Sequence, residues 1–206
     1  MYQGIIFDLD GTLWDSTEQI LPAWNRVLAW HNTGAALTLP EFKGYMGKTV
    51  EEIAAIKLPH LPAEEATKIF KECCKEEQID LAKTGGTLYP YLVETLQTLQ
   101  RNYFLGIVSN CQNGYIETFI KFHQLENFFD DFLCFGQTRR PKGENISLLM
   151  KRNNLQKAVY IGDTQSDCDA AKAAGIPFIH AAYGFGKASD CVHRLNAICQ
   201  LPQVLK

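Results

Sequence analysis

No uninterrupted apolar run in the 206 residues approaches the roughly 18 needed to cross a bilayer. The chain opens directly into strand-like sequence, with no basic segment and hydrophobic run ahead of it. These absences predict a cytoplasmic protein with no membrane partner. There is no CxxC pair either, and the seven cysteines (73, 74, 111, 134, 168, 191 and 199) are odd in number, which argues against a disulfide framework or a thiolate zinc site and for reduced thiols. The five histidines include no pair three or four apart, so ligand spacing is missing there too. No internal repeat is discernible. Lys and Arg form no cluster and the formal net charge is -3, so nucleic acid is not an expected partner. A small anionic substrate would have to meet individually placed cations.

What remains is an ordinary globular composition, 46% hydrophobic and 21% charged, long enough to build one core and a small appended unit. Short apolar runs at 4–10, 103–110, 129–136, 158–163 and 176–181 alternate with helical periodicity. That alternation predicts an α/β fold around a parallel sheet whose strands are buried on both faces. Residues 16 to about 83 carry helical periodicity alone and read as an insertion. Ser16 and Gln19 have capping-box spacing and predict a helix through Ile20, Trp24, Val27, Leu28 and Trp30. A second helix is expected over 62–82, and a third near 90–100 with Pro90 in its first turn. The Gly85-Gly86 pair reads equally as a hinge or as a helix C-cap followed by a turn. An insertion after the first strand can lie over the carboxyl edge of the sheet, where open α/β sheets bind ligands.

The first strand ends in Asp8-Leu9-Asp10. Two residues apart in extended chain, both carboxyl groups leave one face, and like charges so close and partly desolvated need a cation or a shared proton. Asp163 closes another apolar strand behind Gly162, and Asp167 follows four residues on, near a helix start. Oxygen ligands without Cys or His nearby suit Mg²⁺ better than Zn²⁺.

"FDLDGTLWDS", "VSN" at 108–110, Lys142 in "RPKGEN" and "GDTQSD" occur in an order that resembles the haloacid dehalogenase superfamily, in its phosphoglycolate-phosphatase-like branch. The likeness covers 3–14 and about 85–182. It implies a Rossmann-like core made of 1–14 and 85–206, with 15–84 as an inserted all-helical cap. It further implies a Mg²⁺-dependent phosphoric monoester hydrolase acting on a small phosphorylated metabolite. By the same resemblance Asp8 is the nucleophile that forms an aspartyl-phosphate and Asp10 is the acid/base, its backbone carbonyl on the metal. Asp8, Asp163 and Asp167, the last directly or through water, hold Mg²⁺. Ser109 and Asn110 face the phosphoryl group, Lys142 neutralises it, and backbone amides from Leu9 to Gly11 complete the cradle.

Structural readings stand beside these. Asp167 has the position of a helix cap, and Ser109 that of an N-cap for a helix beginning near Asn113. Lys142 departs from the usual lysine-proline order, since Pro141 precedes it, and a solvated lysine is the alternative there. In "KGYMGKTVEEI" (43–53), Lys48 is placed to reach the cleft or simply to decorate a helix connection. Trp14 and Trp24 are candidates for the cleft entrance, or for the core. A sugar phosphomutase of the same architecture is the alternative activity, disfavoured because Ile20 and Lys48 stand where some mutases carry histidine and arginine. A catalytically silent phosphate-binding module is the other, and dehalogenation is disfavoured by the presence of Asp10. The sequence fixes neither the particular phosphomonoester nor the oligomeric state.

Overall fold

The computed structural model describes residues 1–205. Six strands form one sheet: β1 (Gly4–Phe7), β4 (Phe104–Ser109), β5 (Asp131–Cys134), β6 (Ala158–Gly162), β7 (Phe178–Ala181) and β8 (His193–Leu195). Their order is β5-β4-β1-β6-β7-β8 and every pairing is parallel. A parallel arrangement buries both faces, and the side-chain alternation follows: Ile5 and Phe7 enter one hydrophobic cluster while Ile6 enters the other. This is the expected Rossmann-like α/β architecture. β8 was not foreseen, because its three residues, two of them exposed, carry no apolar run.

Helices α5 (Leu92–Leu99) and α6 (Tyr115–Phe122) supply the first cluster with Leu92, Leu96, Ile116 and Phe119, among others. On the other face α8 (Lys142–Arg152) and α9 (Gln165–Ala173) supply Ile146, Leu149, Cys168 and Ala171. α7 (Phe135–Thr138) is a single turn after β5, and α10 (Leu201–Val204) closes the described chain. Pro90 lies outside α5, which starts two residues later behind Tyr91 at φ 65°. Helix α6 likewise begins at Tyr115 behind Gly114, so Ser109 is not its N-cap.

Between the first strand and the rest lies β2 (Trp14–Asp15), paired antiparallel with β3 (Thr87–Leu88). This two-residue ribbon is too short to leave a period in the sequence. From its tips extend α1 (Thr17–Trp30), α2 (Leu39–Lys43), α3 (Val50–Lys57) and α4 (Ala63–Thr84). α1 and α4 share a core in which Trp24 meets the edges of Phe42 and Phe70, with ring centroids 4.9 and 5.3 Å apart. Each such buried aromatic contributes about 1.5–3 kcal/mol of hydrophobic stabilisation. Trp30 ends α1 at 60% exposure, outside that core. Gly85 ends α4 at φ 61°, a C-cap position that glycine tolerates best. No helix among the described residues is long and apolar enough to cross a membrane.

The Ser16–Gln19 capping box does not form. Ser16 keeps helical backbone angles and makes no side-chain cap bond, because its hydroxyl is committed to Asp10 instead.

Candidate active site at the carboxyl edge

β1 lies between β4 and β6, so Asp8, Ser109 and Asp163 emerge side by side from the same sheet edge. The strand stops at Phe7, and the Leu9 carbonyl accepts from the amides of Thr12 and Leu13 in a tight turn. The chain bends at Leu9, so the two acids do not continue an extended strand; their carboxyl groups take different hydrogen-bond partners while lining one cavity.

Asp8 turns to α8. Lys142 Nζ donates to Asp8 Oδ1 at 3.0 Å and to Asp167 Oδ1 at 2.6 Å, and all three side chains are buried. Pro141, the departure noted in the sequence, sits at the N-cap of α8 and places Lys142 as its first residue. Burial works against the ammonium, but the charges of Asp167 and Asp8 overcome it and raise its pKa. The solvated reading of Lys142 is excluded by its 3% side-chain exposure. Asp167 takes the helix-cap position the sequence suggested, its Oδ2 accepting from the Thr164 amide and hydroxyl in a capping box, while Oδ1 accepts from Lys142.

Asp163 completes the group. Oxygens of Asp8, Asp163 and Asp167 lie within 4.8 Å of one another. Burial, then the charges of Asp167 and Asp8, push the Asp163 carboxyl well above its ordinary range, and burial followed by Asp167 raises Asp8 to about 7. Three buried acids against one lysine leave negative charge uncompensated. Asp163 Oδ2 accepts from the amides of Phe185 and Gly186, at 2.7 and 3.3 Å, but buried Oδ1 has no partner at all. An orphaned buried carboxylate oxygen beside two more is a fitting set for a hard divalent cation. Asp10 adds no carboxylate oxygen to this set, which leaves its backbone carbonyl as its only available ligand.

Close approach here depends on glycine. A Cβ on Gly11, at φ +78°, would stand 2.3 Å from Asp163 Oδ2, and one on Gly184 would stand 2.2 Å from the Gly11 carbonyl. The Gly11 amide donates to the Trp14 carbonyl at 2.9 Å, so it is spent inside the turn and does not serve the expected cradle. The amides of Leu9 and Asp10 have no acceptor among the described residues and remain available.

Asp10 turns to the residue ahead of α1 and to the first residue of α6. Ser16 Oγ donates to its Oδ1 at 2.8 Å and the Tyr115 phenol at 3.0 Å. Burial raises its pKa to about 6, against the lowering effect of those two donors. A small cavity of about 60 Å³ opens between Asp8, Asp10 and Ser109 on one side and the insertion on the other. Lys48, itself exposed, lines its rim, and Trp24 lines its wall; Trp14 is wholly buried against Tyr115 and Phe119 and takes no part in the entrance. Asn110 Nδ2 donates to the Gly47 carbonyl at 2.9 Å, tying the end of β4 to the loop before α3.

Sequence reasoning missed Ser16 as a partner of Asp10, and Tyr115, Glu77, Gln112 and the 184–186 loop altogether. The glycines flanking Phe185 were a legible sign of close backbone approach. The others are single polar residues brought in from sequence distances of up to about 100 residues, and no local pattern reports that.

The family described as haloacid dehalogenase-like hydrolase matches residues 5–181. The phosphoglycolate phosphatase of Escherichia coli (strain K12) is 27% identical over 214 aligned residues, which cover 91% of this chain and 85% of that protein. Among solved structures, a haloacid dehalogenase-like hydrolase of Bacteroides fragilis superposes with a TM-score of 0.87 at 27% identity, covering 98% of this chain and all of that one. A Lactobacillus plantarum structure described as a phosphoglycolate phosphatase also gives 0.87, at 20% identity with 99% of each chain covered.

Proposed function

Because the chain belongs to the haloacid dehalogenase-like hydrolase family, we propose that it is a phosphatase hydrolysing a small phosphomonoester through an aspartyl-phosphate on Asp8. The observation that carries this reading is the convergence of Asp8, Asp163 and Asp167 within 4.8 Å, with Lys142 bonded to the first and last. Residues 15–84 form a cap over a core of 1–14 and 85–206, and the link from Asn110 to Gly47 suits a lid resting on its site.

Asp8, Asp163, Asp167 and the Asp10 carbonyl would hold Mg²⁺, which supplies charge compensation between the carboxylates and the incoming phosphoryl group. An Asp8 carboxylate oxygen attacks phosphorus, and the bond to the leaving oxygen breaks as Asp10 delivers a proton to it. Asp10, now ionised, takes a proton from the water that cleaves the acyl-phosphate and returns both acids to their starting state. Ser16 and Tyr115 fix the Asp10 carboxyl for both transfers. Lys142 and the free amides of Leu9 and Asp10 offset charge on the transferred group, with the Ser109 hydroxyl and Asn110 beside it. Lys48 stands at the cavity mouth, where an entering anion first meets a cation.

The test is phosphate release from a panel of phosphomonoesters with Mg²⁺ or with chelator, beside Asp8→Asn. Release that requires both the metal and Asp8 supports the reading; chelator-resistant release, or release by the variant, overturns it.

A further inference from the structure

A second cleft lies beside the catalytic cavity, and its charged lining is mostly basic. It has a volume of about 260 Å³ and opens between α3 and α4 on one side and the turns that follow β4 and β5 on the other. Val50, Cys74, Asn110, Cys111 and Gln112 line both spaces, so a single layer of residues divides them. On α4 the residues that face the cleft are Lys71, Cys74, Lys75 and Gln78, spaced three and four apart as one helix face requires. Acids of the same helix turn to α1 and its C-cap instead: Glu72 pairs with His31, and Glu76 and Asp80 with Arg26. Helix α4 thus sorts its charges by face, and neither Lys71 nor Lys75 joins an ion pair among the described residues. Across the cleft, Arg139 is held at φ 58°, a left-handed angle that residues with side chains rarely adopt, and its guanidinium lies 5.6 Å over the Phe135 ring. Its one ion pair among the described residues, with Glu51 of α3, is long at 3.9 Å. Gln78 Nε2 donates to the Asn113 carbonyl at 2.8 Å and ties α4 to the turn after β4.

We propose that this cleft is a binding site for a phosphate-bearing metabolite of about sugar-phosphate size, its phosphate held between Lys71 and Lys75 on α4 and Arg139 at the end of α7. Three cations against one acid, Glu51, leave a surplus of two positive charges. A phosphate monoester, at about -1.5 to -2 near neutral pH, neutralises that surplus, whereas a single carboxylate leaves half of it. The guanidinium offers a planar fork to two phosphate oxygens and the ammonium groups act as point charges. The volume falls just below the roughly 300 Å³ at which sites for drug-sized ligands begin, so the organic part is confined to a few carbons and their hydroxyls. Val50, Cys74 and Phe135 give that part an apolar wall. The dividing layer keeps the ligand away from Asp8, so it is bound there without being turned over. Because its phosphate touches both α4 and the end of α7, the ligand braces the inserted helices against the sheet.

Glucose 6-phosphate is titrated calorimetrically into the full-length protein in the presence of chelator. Without metal, three acids against one lysine repel an anion from the catalytic cavity, while the cleft keeps its cations. One binding site should therefore persist in chelator. Lys71→Gln/Lys75→Gln should weaken it by about tenfold, as two exposed charge contacts are lost, and Arg139→Gln should weaken it as well. All three residues are exposed, so both variants should melt with the wild type. In Mg²⁺-loaded Asp8→Asn the double lysine substitution should likewise remove one site. Glucose, which lacks the phosphate, and gluconate, which carries a carboxylate in its place, should each bind the wild type at least about tenfold more weakly, a comparison that needs no variant. Absence of binding in chelator, affinity unchanged by the lysine substitutions, or gluconate bound as tightly as glucose 6-phosphate would each overturn the proposal. None of these readouts involves turnover, so their outcome is separate from that of the phosphatase reading.

Discussion

Lys142 Nζ bridges Asp8 and Asp167, 3.0 and 2.6 Å away, two of the three buried acids that cluster there. Replacing it by methionine keeps the packing volume and removes the charge. Leaving buried carboxylates unpaired costs about 3–5 kcal/mol, so Lys142→Met should unfold at markedly lower temperature than the wild type. Loss of a charge aimed at the transferred group should lower kcat by about 10²- to 10³-fold. Calorimetric melting and steady-state kinetics check both, and wild-type behaviour in either would show that the bridge is ornamental.

Asp163 Oδ1 is buried without a partner, and a divalent cation would complete it. Mg²⁺ at about 100 times its dissociation constant should stabilise the wild type by about 2.7 kcal/mol. For a chain of this size that corresponds to a rise in Tm of roughly 5–10 °C. Asp163→Asn should abolish most of the rise. A Tm indifferent to Mg²⁺ in the wild type would remove the metal from the site.

Ser16 shows where the sequence was legible and where it was not. The order of motifs marked Asp8, Ser109, Lys142, Asp163 and Asp167, because each follows or opens a regular element and leaves a local trace. Five of the six sheet strands were visible as apolar runs for the same reason, whereas β2, β3 and β8 are too short or too exposed to show a period. Capping-box spacing at Ser16 and Gln19 was equally clear, yet tertiary competition won. The half-buried Asp10 carboxylate is a stronger acceptor for the Ser16 hydroxyl than anything the helix offered, and Gln19 Oε1 is left unpaired. Glu77 had the opposite fate, reading as one more charge on a polar helix face until the fold placed it under Trp24 and Gln112.

A helix-capping Ser16 and an Asp10-positioning Ser16 predict different losses, and the structure shows the second. A broken N-cap would cost about 1 kcal/mol of stability and leave chemistry intact. Because the hydroxyl positions Asp10, Ser16→Ala should instead lower kcat by about tenfold with little change in KM, as one hydrogen bond to a charged group is lost. A variant that melts earlier but turns over normally would restore the cap and remove the positioning role.

Glu77 links stability to pH with a definite sign. Burial raises its pKa from an ordinary 4.5 to about 8, partly offset by the Trp24 and Gln112 donors. Between those two values the folded chain holds a proton at Glu77 that the unfolded chain has released. Its contribution to stability is therefore fully present below about pH 4.5, declines as pH rises toward 8, and changes no further above that. Measured at saturating Mg²⁺, so that the metal carboxylates stay ionised, the wild type should lose stability across pH 5–8 relative to Glu77→Gln, which cannot ionise. Denaturant titrations of both proteins at intervals across that range decide it. Parallel curves would mean that Glu77 ionises in the folded state as readily as in water, and that its burial on the inner face of α4 carries no electrostatic cost.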